Sequence, residues 1–408
     1  MNRDKYLEDV VDWGDRISQL AKDVSVASYG NCPALYVVGD KGPGWRSGAG
    51  HLWVHKIYRM LGNYTTRGNE VDEWEMKEEV ENDGAGTKPG LMAMLGTAKV
   101  WSWLASELIA MCADDLARKG KFAAAMINQV DFKSVTKDNF HLADAYFLAY
   151  GAALRKAHLV NLTGETAIMG SAITAFCDTG DSNQLICTLS GACLGLAHRD
   201  LLVTGQDIKS GMPIVATFEP GPRCNGYSKL IKILTNVFGD DVHGLVVHPD
   251  AYDFALEAAA PSHIYAPTLN RICGWNADGT PGEKRARISG IAHITGGGIN
   301  KFREILPDGV GAHLNDLPQP SWVLRRAQEL AEGTPYAFDD HTGYEIFNGG
   351  LGMVIPTEDP DEVIAECEND GIDAFVIGET TASDDRVVTL ESRFLNGGTL
   401  SWSSAKAA

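Results

Sequence analysis

The sequence predicts a protein of two mixed α and β domains, and three features of the chain support this prediction. Segments with strand and helix patterns alternate in both halves, as they do in α/β and α+β proteins. The chain has 408 residues, which is more than one ordinary compact domain holds. The polar segment TGQDIKSGMP precedes a new strand, so we predict a first domain over 1–208 and a second over 209–408.

Apolar spacing and glycine positions predict the elements of the first domain. A helix over about 98–119 is expected to end at Gly120, because glycine readily adopts the left-handed conformation that closes a helix. Residues 26–75 show no clear period, and the segment GDKGPGWRSGAG within them is either a flexible loop or a loop that closes on a ligand. The other predicted elements are a helical arm over 1–25, a helix over 138–157, and strands over 159–167 and 183–197.

The second domain shows the same alternation in a longer series. Its predicted elements are a strand and helix over 214–238, a strand over 243–247, a helix over 250–260, and then a strand in GLGMVIP, a helix in PDEVIAECENDG and a strand in DAFVIGE. The composition of DGTPGEK at 278–284 predicts an exposed hairpin or loop.

The composition argues against a nucleic-acid partner and against a membrane protein. The chain has 35 basic and 54 acidic residues, a formal charge of -19, and no basic cluster that would neutralise phosphates. The eight cysteines include no C-x-x-C pair, which favours reduced thiols in the cytoplasm over a disulfide framework. The charged N-terminus lacks an apolar signal core, and no apolar run reaches the roughly 18 residues of a membrane helix.

The segment DGAGTK is the first candidate for ligand binding. Gly84 and Gly86 allow the backbone to approach a ligand and to present N–H groups to an oxyanion. A carboxylate beside them, Asp83, is suited to Mg²⁺, and Lys88 is suited to a phosphate. The Walker spacing is absent, so an ordinary tight turn is an equally good interpretation.

Two acidic residues near the end of an apolar helix form the second candidate. In LASELIAMCADDLARKG, Asp114 and Asp115 fall where negative charge opposes the helix dipole, at a cost of about 0.3–1 kcal/mol. Arg118 and Lys119 offset that cost in the structural interpretation. In the functional interpretation a bound cation offsets it, and Mg²⁺ prefers carboxylates together with nucleotide phosphates.

The segment HITGGG is the third candidate. It follows an apolar stretch and precedes a helical pattern, and a glycine-rich turn before a helix N-terminus is a favourable anion site. Three consecutive glycines are costly in chain entropy, so a ligand explains them better than a structural turn does. His293 alone is more often a histidine satisfied within the core.

Two further segments supply candidate polar residues. GPRCNGYS lies at a strand-to-helix junction, where Arg223 is either a bidentate phosphate ligand or a common surface arginine on a turn. In GETA, Glu165 is either a base or hydrogen-bond acceptor, or only an acidic residue at a helix start. The motifs of serine hydrolases, zinc proteases and dinucleotide dehydrogenases are not recognisable.

In order, these segments resemble the phosphoribosylformylglycinamidine cyclo-ligase family, also called aminoimidazole ribonucleotide synthetases. The matching stretches are DGAGTK, AMCADDLARKG, GETAIM, GPRCNGYSKLIKIL, GIAHITGGGINKFREILP and FNGGLGMVI. The glycine-rich N-terminal loop of the family is not recognisable here, and Ile168, Gly170, Arg223 and Cys224 depart from its pattern.

The resemblance implies a fold, a reaction and a set of site residues. The first domain would pair with its mate into a dimeric β-barrel flanked by helices, and the second would be an α/β domain that completes a cleft. With ATP and Mg²⁺, the family phosphorylates the formyl-amide oxygen of formylglycinamidine ribonucleotide, and an amidine nitrogen then closes the ring. The implied metal ligands are Asp83 and Asp115, and the implied catalytic residues are Lys88, His293 and Glu165. The implied nucleotide-site residues are Asp83, Gly84, Gly86, Thr87, Lys88, Asn225, Gly226, Thr295, Gly296, Gly297 and Gly298.

Two alternatives remain open from the sequence. One is another ATP-dependent enzyme of the same superfamily with a different substrate. The other is a non-catalytic nucleotide-binding relative, although the acidic and lysine positions that such a protein would lose are all present.

Overall fold

The protein is described by a computed structural model over residues 3–33, 35–38, 52–55 and 76–403. The segment GDKGPGWRSGAG lies outside the described residues, so the expectation of a loop there stays a prediction. Helix α1 (Arg3–Ala27) agrees with the predicted helical arm. Strands β1 (Leu35–Val38) and β2 (Leu52–His55) form an antiparallel pair.

A four-stranded sheet forms the centre of the first half of the chain. Its strands are β3 (Met76–Gly84), β4 (Phe122–Phe132), β5 (Val160–Ile168) and β6 (Cys187–His198), in the spatial order β3-β6-β4-β5. β6 is antiparallel to both of its neighbours, whereas β4 and β5 run parallel. The helices of this half are α2 (Lys88–Leu95), α3 (Ala98–Trp103), α4 (Glu107–Ala117) and α5 (Phe140–Lys156).

Helix α4 packs directly on this sheet, and two glycines of β6 make room for it. A Cβ placed on Gly191 would lie 3.0 Å from the Leu108 side chain, and one on Gly195 would lie 3.1 Å from Leu116. Both leucines are fully buried, and burying such a side chain contributes about 1.5–3 kcal/mol. The glycines of SGACLG therefore bring the helix close to the strands.

A seven-stranded sheet forms the centre of the second half. Its strands are β7 (Pro213–Phe218), β8 (Ala292–His293), β9 (Gly309–Leu314), β10 (Leu351–Pro356), β11 (Ala374–Ser383), β12 (Val388–Glu391) and β13 (Thr399–Trp402). The spatial order is β13-β12-β9-β11-β7-β10-β8, and only the β12–β9 pair is parallel. The helices are α6 (Tyr227–Phe238), α7 (Val242–Val247), α8 (Pro249–Ala258), α9 (Ala266–Cys273), α10 (Asn300–Ile305), α11 (Trp322–Ala331), α12 (Asp340–Ile346) and α13 (Pro360–Glu368).

The mixed α and β fold class is confirmed, and one predicted element is wrong. The strand predicted over 243–247 is helix α7, because the Asp241 side chain accepts hydrogen bonds from the backbone N–H groups of His243 and Gly244 and caps a helix there. The helical stretch predicted over 98–119 is present, but a 3₁₀ turn divides it into α3 and α4. The two sheets divide between β6 and β7, and the domain boundary at 208/209 remains our prediction within that interval.

The described chain contains no helix long and apolar enough to cross a membrane. All eight cysteines are buried free thiols, as expected from their spacing.

We predict that Gly120→Ala destabilises the protein more than Gly211→Ala does. Both glycines have positive φ, at +71° and +86°, so each alanine costs about 1–2 kcal/mol in backbone strain. A Cβ at Gly120 would also lie 2.1 Å from the Leu201 carbonyl oxygen, whereas Gly211 has no heavy atom within 4 Å of that position. Denaturant unfolding should show an additional loss of about 1–3 kcal/mol for Gly120→Ala. Equal losses would contradict the packing argument.

Candidate functional site

A buried ion pair joins the glycine turn to helix α4. The ammonium of Lys88, which begins helix α2, lies 2.8 Å from the Glu107 carboxylate and donates to the Ala260 carbonyl at 2.7 Å. Both side chains of the pair are fully buried. The Glu107 carboxylate also accepts hydrogen bonds from the Ser262 N–H and hydroxyl groups, at 2.8 and 2.6 Å, and from the Cys224 thiol at 3.1 Å. Lys88, a predicted phosphate ligand, is therefore enclosed by protein partners in this structure.

A second buried cation, Arg223, links the two halves of the chain. Its guanidinium donates to Glu219 at 2.6 Å, to Asp114 at 2.9 Å, and to the carbonyls of Ala110 and His263. The side chain is fully buried, so both sequence interpretations, the surface arginine and the phosphate ligand, are wrong. Its carboxylate partners raise the pKa of Arg223 above its usual range, in opposition to burial. Arg223 is a structural cation at the contact between the two sheets.

Asp114 serves as a helix cap. One carboxylate oxygen accepts hydrogen bonds from the N–H groups of Tyr265 and Ala266, at 2.8 and 2.7 Å, where helix α9 begins. Complete burial raises the pKa of Asp114, and Arg223 with the two N–H groups opposes that rise. The unfavourable position of this charge at the end of α4 is thus compensated by the favourable N-terminus of α9 and by Arg223.

Asp115, unlike Asp114, contacts the strand that leads into HITGGG. Its carboxylate lies 3.0 Å from Nδ1 of His293 and 2.8 Å from Arg118. Burial favours a higher pKa for Asp115, but the His293 hydrogen bond and Arg118 hold it below its usual range. Burial, with the charge of Arg223, lowers the pKa of His293 to about 4. Both pKa shifts agree with a neutral His293 that donates a hydrogen bond from its Nδ1–H to an ionised Asp115.

Asp83 lies near Asp115, as the sequence predicts for a shared metal site. Burial raises the pKa of Asp83, and the charge of Asp115 raises it further, while the Gly84 N–H at 2.7 Å opposes the rise. Among the described residues, no group of three or more histidine, cysteine, aspartate or glutamate side chains is placed to hold a metal. Carboxylate oxygens are ligands of the kind that Mg²⁺ takes together with oxygens from phosphates and water.

The glycine turn and the segment GPRCNGYS meet in an open cavity of about 560 Å³. Four predicted nucleotide-site residues line it together: Gly86, Thr87, Asn225 and Gly226. A Cβ at Gly86 would lie 3.2 Å from the Cys224 carbonyl oxygen, and Gly86 has a φ of +54°. Glycine is therefore required where these two segments approach each other.

The HITGGG turn lies next to this cavity. A Cβ at Gly296 would lie 3.1 Å from the Asn225 side-chain oxygen, so the turn and the GPRCNGYS segment are neighbours. Gly298 fits tightly, because a Cβ there would lie 1.9 Å from the Tyr344 carbonyl oxygen. Gly297 is exposed, and a Cβ there would make only an ordinary contact with the Lys301 side chain, at 3.8 Å. Thr295 closes the turn by accepting a backbone hydrogen bond from Gly298 at 2.9 Å. The entropic cost of Gly298 thus has a packing reason, whereas Gly296 lies against Asn225, which lines the cavity.

Glu165 lies on the opposite side of the glycine turn. It is exposed on β5, and an open depression of about 380 Å³ on the four-stranded sheet is lined by both Glu165 and Asp83. The structure therefore brings Glu165 near the carboxylate end of DGAGTK and away from the cavity at Gly86.

Sequence reasoning missed three residues that build this region. Glu107 and Glu219 are fully buried carboxylates, and Ser262 caps the Glu107 pair. One sign was available: Glu107 stands seven residues before Asp114, which places both on one face of the same apolar helix. The cationic partners of Glu107 and Asp114 lie far along the chain, whereas Glu219 lies four residues before its partner Arg223.

The chain is similar to known proteins in both sequence and fold. Residues 279–391 match the family "AIR synthase related protein, C-terminal domain". Phosphoribosylformylglycinamidine cyclo-ligase of Bacillus pumilus is 27% identical over 328 residues, which cover 78% of this chain and 82% of that protein. The enzyme of Methanococcoides burtonii is 27% identical over 323 residues, covering 79% and 85%.

The predicted family resemblance is thereby confirmed. The chain is similar to phosphoribosylformylglycinamidine cyclo-ligases over more than three quarters of its length. Its fold matches that of the E. coli hydrogenase maturation protein HypE with a TM-score of 0.51, at 14% identity, over 96% of this chain and 98% of that one. A HypE structure in complex with ATP matches with a TM-score of 0.50 at 14% identity, covering 86% and 92%. At this identity the two structures establish the fold alone.

We predict that Lys88→Met destabilises the protein by about 3–5 kcal/mol, because it leaves the Glu107 carboxylate buried without its cation. Glu107→Gln should also destabilise it, whereas the double variant should lose less than the sum of the two. A double-mutant cycle in denaturant should give a coupling of about 2 kcal/mol. Additive losses would show that the two charges do not stabilise each other.

Proposed function

We propose that the chain catalyses the ATP-dependent cyclisation of formylglycinamidine ribonucleotide to aminoimidazole ribonucleotide. The observation that carries this proposal is the series of contacts that joins the predicted segments: Gly86 lies against Cys224, Gly296 lies against Asn225, and Asp115 bonds to His293. Cyclo-ligases of this name share 27% identity with the chain over more than three quarters of its length.

The reaction that we propose has two steps. The formyl-amide oxygen of the substrate attacks the γ-phosphorus of ATP, and ADP leaves. An amidine nitrogen then attacks the activated carbon, inorganic phosphate leaves with the former amide oxygen, and the nitrogen loses a proton. Reactions of this kind depend mainly on positioning and on stabilising charge, and the glycine turns here suit both, because their backbone can approach phosphate oxygens closely.

We propose Asp83 and Asp115 as the residues that would hold Mg²⁺. Their proximity and the ionised state of Asp115 fit this metal, which prefers carboxylate oxygens together with phosphates and water. When bound, Mg²⁺ would neutralise charge on the ATP phosphates.

We propose positioning roles for His293 and Lys88. The His293 ring is only 2% exposed, and its Nδ1–H holds the Asp115 carboxylate in place and keeps it ionised. The ammonium of Lys88 is enclosed with Glu107 and fixes the start of helix α2 beneath the glycine turn. For Glu165, which is exposed beside Asp83, we retain a role at the substrate as a hydrogen-bond or proton acceptor.

Two departures from the family pattern bear less on the substrate than their sequence positions indicate. Arg223 is fully buried and Cys224 is only 8% exposed, with its thiol bonded to Glu107. Both side chains therefore act within the protein interior. Ile168 and Gly170 lie at the end of β5 and beyond it, and Gly170 is exposed. If the substrate differs from that of the relatives, we expect Ile168 and Gly170 to determine the difference.

We predict that the protein with ATP, Mg²⁺ and formylglycinamidine ribonucleotide releases phosphate and forms the imidazole product. Asp83→Asn should lower the rate by orders of magnitude, because it removes charge from the proposed metal site. The matched control is Asp207→Asn, which makes the same change at an exposed position outside the cleft. Product is measured by mass spectrometry, and released phosphate by a colorimetric assay.

The outcomes separate three functions. Phosphate release that requires a different amide or amidine substrate would favour another synthetase of the same superfamily. ATP binding without turnover of any such substrate would favour the non-catalytic relative. A normal rate in Asp83→Asn would remove Asp83 from the metal site.

We further propose that the protein is a homodimer paired through the four-stranded sheet. Strand β3 is an edge strand of that sheet, paired only with β6 among the described residues, and an open strand edge favours association. Val80 on this strand is 59% exposed. Sedimentation equilibrium should show a dimer, and Val80→Glu should weaken it, whereas the control Val376→Glu on the second sheet should not. Only monomer at micromolar concentration would contradict the proposal.

A further inference from the structure

The cavity between the glycine turn and helix α6 differs in charge from the rest of the molecule. Its lining includes two lysines, Lys229 and Lys232, and no carboxylate, whereas the chain carries a net charge of -19. Neither lysine forms an ion pair within the described part of the chain. Two cations without a carboxylate partner are therefore gathered in one cavity of a strongly acidic protein.

The helix dipole and a neighbouring like charge disfavour the positive charge of these lysines on α6, although the Lys229 ammonium also lies over the Phe338 ring, 5.1 Å from its centroid. Lys229 lies in the first turn of the helix, where a positive charge opposes the helix dipole. Lys232 follows three residues later on the same face, and like charges at that spacing repel each other. Burial, together with the charge of Lys232, lowers the pKa of Lys229. A nearby anion would offset the unfavourable dipole interaction of Lys229, the repulsion between the two lysines, and the lowering of the Lys229 pKa.

Uncharged hydrogen-bond donors in the cavity also favour an anionic ligand. The side-chain nitrogen of Asn225, which lines the cavity, is buried and has no hydrogen-bond partner among the described residues. The hydroxyls of Thr87 and Ser228 lie 3.5 Å apart across the cavity. No side chain caps the start of α6, and Gly226, the residue before the helix, has a φ of +78°. Donors from both sides of the cleft thus surround one space.

We propose that this cavity is a phosphate subsite, with Lys229 and Lys232 as its cationic ligands and with Asn225, Thr87 and Ser228 as hydrogen-bonding partners. A phosphate monoester carries nearly two negative charges and three acceptor oxygens, which match two ammonium groups and three neutral donors better than a carboxylate does. The proposal deepens the proposed function by assigning a place to the phosphate of a phosphorylated ligand. It depends on that function only for the ligand's identity.

The test is equilibrium binding by calorimetry, with inorganic phosphate, ribose 5-phosphate and a non-hydrolysable ATP analogue as probes. Lys229→Gln and Lys232→Gln should each lower the affinity for at least one probe by tenfold or more. The matched control is Lys137→Gln, which removes one exposed lysine outside the cavity. Thermal unfolding of each variant should stay at or above the wild-type midpoint, because the substitutions remove a repulsive charge pair.

Each outcome has a defined meaning. Weaker binding of ribose 5-phosphate alone supports the subsite and assigns it to a phosphorylated substrate, and weaker binding of the ATP analogue alone assigns it to the nucleotide. Affinities equal to those of Lys137→Gln, or no binding of any probe to the wild type, would overturn the proposal. Because binding requires no turnover, failure of the cyclo-ligase assay leaves this result intact, and the converse also holds.

Discussion

Three carboxylates on one helix determine how the two sheets of this protein meet. Helix α4 lies on the first sheet, and its Glu107, Asp114 and Asp115 each bond to groups in the second half of the chain: the Ser262 amide and hydroxyl, the Arg223 guanidinium with the start of α9, and the His293 ring. A buried carboxylate without such partners costs several kcal/mol. Only a docking geometry that satisfies all three at once avoids this cost, so the helix specifies how the second sheet is placed.

The cavity beside the glycine turn is a consequence of that placement. Once α4 is held, Gly86 approaches the Cys224 carbonyl, and Asn225 approaches Gly296. Arg223 itself has a φ of +55°, a conformation that non-glycine residues rarely adopt. Its hydrogen bonds to two carboxylates and two carbonyls hold it there. Local strain is thus retained beside the cleft by interactions that the interface already requires.

Local patterns in the sequence predicted much of this fold and less of the site. Most strands and helices, and the helix end at Gly120, follow from periodicity and glycine conformation, which are properties of neighbouring residues. Helix α7 was missed because one cap, Asp241, outweighed a β-branched composition. The buried states of Lys88 and Arg223 could not be predicted from spacing, because Glu107 is distant in sequence from Lys88 and Asp114 lies 109 residues from Arg223. Only the Glu219–Arg223 pair, four residues apart, is a local pattern. An isolated cation beside a glycine turn has the same sequence pattern whether it binds phosphate or an interior carboxylate.

The distribution of charge along the glycine turn gives the cleft a direction. At its Asp83 end, two carboxylates interact closely enough for Asp115 to raise the pKa of Asp83. At its Thr87 end lie Lys229 and Lys232, without a carboxylate in the cavity lining. Four residue steps separate Asp83 from Thr87, so these ends lie at most about 14 Å apart. A cation held at one end and an anionic group held at the other would orient a phosphorylated ligand along the turn, and the glycines between them leave its backbone free to approach that ligand.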